Sequence, residues 1–143
     1  MIPIHILLVE DNEGDVYLVT EAFEESKIIN KISVARDGRE AIDFLDKKGK
    51  YEREELPDLI ILDVNLPKIN GHEVLEYIKE KEGLKQIPVI MLSTSSAEKD
   101  ILLSYKNHAN CFITKPVDVN NFLKVISSIE NFWISIVKLP SKK

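Results

Sequence analysis

Five short runs of β-forming residues alternate with five segments of helical periodicity, and this alternation limits the possible folds more than any other feature of the chain. The β-type runs are Ile4 to Val9, Ile32 to Ala35, Leu59 to Leu62, Ile87 to Leu92 and Cys111 to Thr114. Leu59 to Leu62 is continuously apolar, as expected of a strand covered on both faces. Val16, Leu18, Val19, Ala22 and Phe23 make the apolar stripe of a first helix. Asp37-Gly38-Arg39-Glu40 and Asn70-Gly71-His72-Glu73 have capping-box spacing. They open a second helix that buries Ala41, Ile42, Phe44 and Leu45, and a third that runs through Lys81. Ser95 opens a fourth helix to about Lys106, and Asp118 caps a last one reaching at least Ile129. The charged stretch from Asp46 to Pro57, with Gly49 inside it, reads as a loop. Strict βα alternation implies right-handed crossovers, hence an α/β fold with a doubly wound parallel sheet and helices on both faces.

At 143 residues the chain is the size of one domain. A single cysteine excludes an intramolecular disulfide framework and a cysteine-rich zinc site. Cys111 itself reads as a buried strand residue. His5, His72 and His108 lack ligand spacing. A net charge of −5 argues against sequence-independent nucleic-acid binding. Lys47, Lys48, Lys50 and Arg53 read as a solvated loop. No apolar run approaches the roughly 18–20 residues of a membrane span. With no signal-peptide pattern at the start, a reducing cytoplasm is the expected location.

In an open α/β sheet, sites form beyond the carboxyl ends of the strands. Glu10 and Asp11 follow the first strand, Asp63 the third, Ser93 and Thr94 the fourth, and Lys115 with Pro116 the fifth. Three carboxylates on one rim repel one another unless a cation sits among them. A hard divalent ion with oxygen ligands is the natural neutraliser, and Mg²⁺ leaves room for a phosphate oxygen. A lysine ammonium suits another phosphate oxygen, and a serine hydroxyl can donate to a third. One carboxylate can then accept a phosphoryl group as an aspartyl phosphate.

The motifs are specific in combination. Val9-Glu10-Asp11-Asn12, Ile61-Leu62-Asp63-Val64-Asn65-Leu66-Pro67, Pro88-Val89-Ile90-Met91-Leu92-Ser93 and Phe112-Ile113-Thr114-Lys115-Pro116 occur in order at strand ends. Together they resemble the receiver domain of two-component response regulators over roughly residues 4 to 130. The resemblance implies a flavodoxin-like fold: a five-stranded parallel sheet in order 2-1-3-4-5 with five helices. It implies Asp63 as phosphoacceptor, with Mg²⁺ held by Asp11, Asp63 and the backbone carbonyl of Asn65, and by Glu10 mostly through water. It also implies Ser93 and Lys115 as phosphoryl contacts, Ser93 and Phe112 as switch residues, and a cis peptide before Pro116. Asn65 and Ser95 stand where family members tune hydrolysis. Thr94 departs from the usual Ala or Gly and narrows access; Phe112 replaces a common Tyr and lacks its hydroxyl.

Glu10-Asp11-Asn12 with Asp15-Val16, Leu92-Ser93-Thr94-Ser95-Ser96 and the ending Phe132-Trp133 are similar to regulators that serve phytochrome-type histidine kinases. That likeness implies a sensor histidine kinase as partner. Residues 1–130 are expected to form the receiver, with 131–143 extending its last helix. Asn131 to Lys143 adds Phe132, Trp133, Ile134, Ile136, Val137 and Leu139, an apolar patch expected to serve an interface. The expected output is protein contact, with a homodimer through helix 4, strand 5, helix 5 and the tail. A haloacid-dehalogenase-type phosphatase is the enzymatic rival, disfavoured because position 65 is Asn where that class needs a second Asp. A receiver fold that binds partners without phosphorylation is the other. No G-x-S-x-G motif exists.

Overall fold

The computed structural model describes residues 3–26, 29–94, 101, 103, 105–109, 111–115, 118, 120–122, 124, 125 and 128, with Cys111 described by its backbone only. The β-type runs become β1 (Ile4–Val9), β2 (Asn30–Ala35), β3 (Leu59–Asp63), β4 (Val89–Ser93) and β5 (Cys111–Thr114). All neighbouring pairs are parallel, and the order is β2-β1-β3-β4-β5. The winding direction therefore reverses between β1 and β3, which leaves a crevice at the carboxyl ends of those two strands.

Period-2 alternation sorts the core into two layers. Leu7, Val9, Ile60, Leu62, Val89 and Met91 face α2 (Gly38–Leu45) and α3 (Gly71–Glu80). Ile6, Leu8, Leu59, Ile61, Ile90 and Leu92 face α1 (Glu13–Glu25). Each fully buried Leu or Ile contributes about 1.5–3 kcal/mol relative to exposure. Phe122 joins the α1 layer, meeting Phe23 edge to face at 5.9 Å. Asp118 accepts the N–H groups of Asn120 and Asn121, as a cap should. Residues 101, 103, 105, 106 and 120–122, 124, 125, 128 are helical. The bounds of the fourth and fifth helices, Ser95, Pro116 and the 131–143 tail lie outside the described residues.

Several boundaries differ from the sequence reading, each for a local reason. β2 begins at Asn30 because it extends the ladder opposite Ile4. β4 begins at Val89: Pro88 has no N–H, and the Ile87 N–H is used in a turn to the Leu84 carbonyl at 2.9 Å. β4 reaches Ser93, whose carbonyl accepts the Lys115 N–H at 2.6 Å. The loop after α2 contains a 3-10 turn over Gly49–Tyr51, and Tyr51 packs on Phe44 with ring centroids 5.3 Å apart.

The two caps also differ. Asn70 and Glu73 complete a reciprocal capping box on α3. At α2, Asp37 accepts the Glu40 N–H. The Glu40 carboxylate lies instead by Tyr51, whose phenol is pushed up by burial and then by that charge. At the far end of α2, Asp46 accepts from the Tyr77 hydroxyl and lies 2.5 Å from Lys81, which ties α2 to α3. Burial alone would raise the Asp46 carboxyl, but Lys81 and Tyr77 hold it below its usual range.

One glycine positions the rim. A Cβ on Gly71 would sit 2.2 Å from the Asp63 carbonyl oxygen and 2.7 Å from the Val64 Cα. The Gly71 N–H donates to the Val64 carbonyl at 2.8 Å. Helix α3 thus starts against the backbone that carries Asp63, at a distance only glycine permits.

Candidate functional site

β1 hands its backbone directly to the site. The Glu10 N–H still pairs with the Ala35 carbonyl at 2.9 Å, so Glu10 is fixed as firmly as a strand residue. Asn12 then caps α1 by accepting the Asp15 N–H, and its own N–H donates to Glu10 Oε2 at 3.2 Å. β3 delivers Asp63 between β1 and β4, where only 2% of the residue is exposed. The Asn65 N–H donates to Asp63 Oδ1 at 3.3 Å, which places the Asn65 backbone beside the carboxylate. Ser93 ends β4, Lys115 follows β5, and both are buried.

Glu10, Asp11 and Asp63 each offer a carboxylate oxygen, and these lie within 4.8 Å of one another. Glu10 and Asp63 are buried, whereas Asp11 is exposed. Burial of its charge pushes the Glu10 carboxyl up to about 7, against the pull of Lys115. An all-oxygen set of three acids, one of them exposed, fits a hard divalent cation, which would offset that repulsion.

The ammonium of Lys115 lies 2.7 Å from Glu10 Oε1, 2.9 Å from Asp15 Oδ2 and 3.3 Å from Asp63 Oδ2. Burial alone would lower the Lys115 ammonium; the Glu10 and Asp15 contacts and the charge of Asp63 raise it above its usual value. The three carboxylates thus favour the charged form of Lys115. Such a centre, with an acid, an ammonium and an acidic cation cradle, can receive a phosphoryl group.

A model of the response regulator receiver domain matches residues 6–127. The chain belongs to the response regulator receiver family. It is 45% identical over 136 residues to the response regulator Rcp1 of Synechocystis sp., covering 95% of this chain and 92% of that protein. The crystal structure of the phosphorylated cyanobacterial phytochrome response regulator RcpA superposes with a TM-score of 0.84 at 45% identity, over 98% of this chain and all of that one. The Mn²⁺-bound form of Rcp1 superposes with a TM-score of 0.83 at 45% identity, over 97% and 100%. The receiver is a phosphoacceptor switch, and acceptance on an aspartate is the general function of the domain.

Within this receiver, Glu10, Asp11, Asp63 and Lys115 come together as expected from the sequence. Ser93 is fully buried at the end of β4, opposite Thr114. Thr94 is exposed, and the Asn65 side-chain amide donates to its hydroxyl at 3.3 Å. That contact joins the loops after β3 and β4. Phe112 is half-buried opposite Met91 and packs on the α2 and α3 layer. Sequence reasoning missed Asp15 as a partner of Lys115. The available signal was its place three residues after the Asn12 cap, on the first turn of the helix that starts at the rim. Among the described residues, no helix is long and apolar enough to cross a membrane.

Proposed function

We propose that Asp63 is the phosphoacceptor of a response regulator served by a sensor histidine kinase, with Mg²⁺ as the metal. The observation that carries this is the position of Asp63 between the acidic cluster and Lys115. An Asp63 oxygen attacks the phosphorus of a phosphohistidine or a small phosphodonor. The new O–P bond forms as the bond from phosphorus to the donor breaks, and the donor leaves with its electron pair. Glu10, Asp11, Asp63 and the Asn65 carbonyl would hold Mg²⁺, which supplies charge neutralisation when bound. Lys115 balances charge on the transferred group, and Ser93 donates to one of its oxygens. Water later hydrolyses the acyl phosphate and returns Asp63. The chain supplies these groups itself, so transfer from the donor and the later hydrolysis are self-catalysed, without turnover of an external substrate.

The kinase is proposed to be of the phytochrome type, on the strength of the relatives described above. Cytoplasmic location follows from that partner. The output is proposed to pass through Ser93 and Phe112 to the face of β5 and its flanking helices. There Leu103 and Tyr105 are 39% and 50% exposed, an apolar surface suited to a homodimer. Light scattering is expected to give a dimer mass, and a monomer mass both with and without phosphate would remove that part.

The central test is intact mass after incubation with acetyl phosphate. The expected result is a gain of one phosphoryl group that requires Mg²⁺ and is released by hydroxylamine. Turnover of a phosphomonoester without a stable adduct would instead favour a phosphatase.

A further inference from the structure

Lys115 has three hydrogens on its ammonium and three carboxylates around it. Glu10 and Asp63 have roles in the reading above; Asp15 has none. Its side chain is 19% exposed, against 0% for Glu10 and 3% for Asp63. The Asn12 cap fixes its backbone, so its carboxylate is aimed at Lys115 from the first turn of α1.

Building on the assignment of Asp63 as acceptor, we propose that Asp15 is a positioning residue: it holds the Lys115 ammonium in its resting place and gives up that contact to an oxygen of the phosphoryl group. An ammonium already engaged three ways can reach a phosphoryl oxygen only when one partner lets go. Release of Glu10 would leave a fully buried carboxylate to the metal ion alone, with no bulk water to replace the ammonium, which is costly. Asp63 is the acceptor itself. Asp15 faces water, which takes over its oxygens, and the N-terminus of α1 favours the freed negative charge. Exchange is therefore cheapest at Asp15. Until the exchange occurs, its charge opposes that of the incoming group and competes for the same ammonium.

Asp15→Asn keeps the shape and an acceptor oxygen but removes the charge. The test is binding of beryllofluoride, a phosphoryl mimic, to the full chain with Mg²⁺, followed by fluorine NMR. Asp15→Asn is expected to bind about five- to tenfold more tightly than wild type, as the loss of one competing charge predicts. Asp15→Glu restores wild-type binding to within about twofold, and Mg²⁺ binding alone changes by no more than about twofold in Asp15→Asn. In a Lys115→Met background, Asp15→Asn has no effect, because the coupling runs through the ammonium. A wild type that binds beryllofluoride while Asp15→Asn binds equally or more weakly overturns the role of Asp15 alone. So does an effect that persists without Lys115. A wild type that binds none overturns the acceptor assignment and this inference with it.

Discussion

Asp63→Asn takes up no phosphoryl group from acetyl phosphate, while the wild type gains one. An amide oxygen is a poor nucleophile toward phosphorus, and the neutral side chain is a weaker ligand for a hard cation. The substitution is nearly isosteric, and Lys115 keeps its closer contacts with Glu10 at 2.7 Å and Asp15 at 2.9 Å. The fold is therefore expected to survive, and its urea midpoint is the control that separates lost chemistry from lost structure. Intact mass reads the adduct directly. Undiminished labelling of Asp63→Asn would transfer the acceptor role to another carboxylate, such as the exposed Asp11 of the same cluster.

The sheet was legible because its signal is redundant. Every strand in β1, β3 and β4 is apolar on both faces, and the strict alternation with helices leaves one economical way to bury them. The rim was legible for a topological reason: once order and direction are known, the residues after each strand must meet. What the sequence concealed depends on side-chain direction. Asp37 and Glu40 have the same spacing as Asn70 and Glu73, yet only the second pair closes a box; the Glu40 carboxylate lies by Tyr51 instead. The 3-10 turn at Gly49–Tyr51 packs Tyr51 against Phe44 with tilted rings, a contact between elements that local pattern does not encode. Asp15 was hidden in the same way. A carboxylate on the first turn of a helix is favourable anywhere through the helix dipole, so its presence alone did not point to Lys115.

Lys115→Ala is expected to do more damage to the metal-free fold than to phosphoryl uptake. Its removal leaves Glu10 and Asp63 buried beside each other with no cation between them. Breaking a buried pair in this way costs about 3–5 kcal/mol. Urea unfolding with a chelator present should register that loss at about pH 8. Mg²⁺ should restore most of it, since the carboxylates freed from Lys115 are the same ones that would hold the ion. The sign with pH is fixed by Glu10, whose carboxyl burial raises from 4.5 to about 7. Between those values the folded protein keeps a proton that the unfolded chain has released. Stability from this group is thus complete below 4.5 and declines as pH rises through the folded value, which lies higher still without Lys115. The deficit of the variant against wild type should therefore shrink on going from about pH 8 to about pH 5.5. Asp46 and Asp37, both held below their usual range, act only at lower pH and do not obscure this window. Acetyl phosphate should still label the variant once Mg²⁺ is saturating, with the shift in contacts at β5 diminished. A deficit equal at both pH values, or one that Mg²⁺ leaves unchanged, would mean that Lys115 stabilises the rim by packing its aliphatic stem and not by neutralising Glu10 and Asp63.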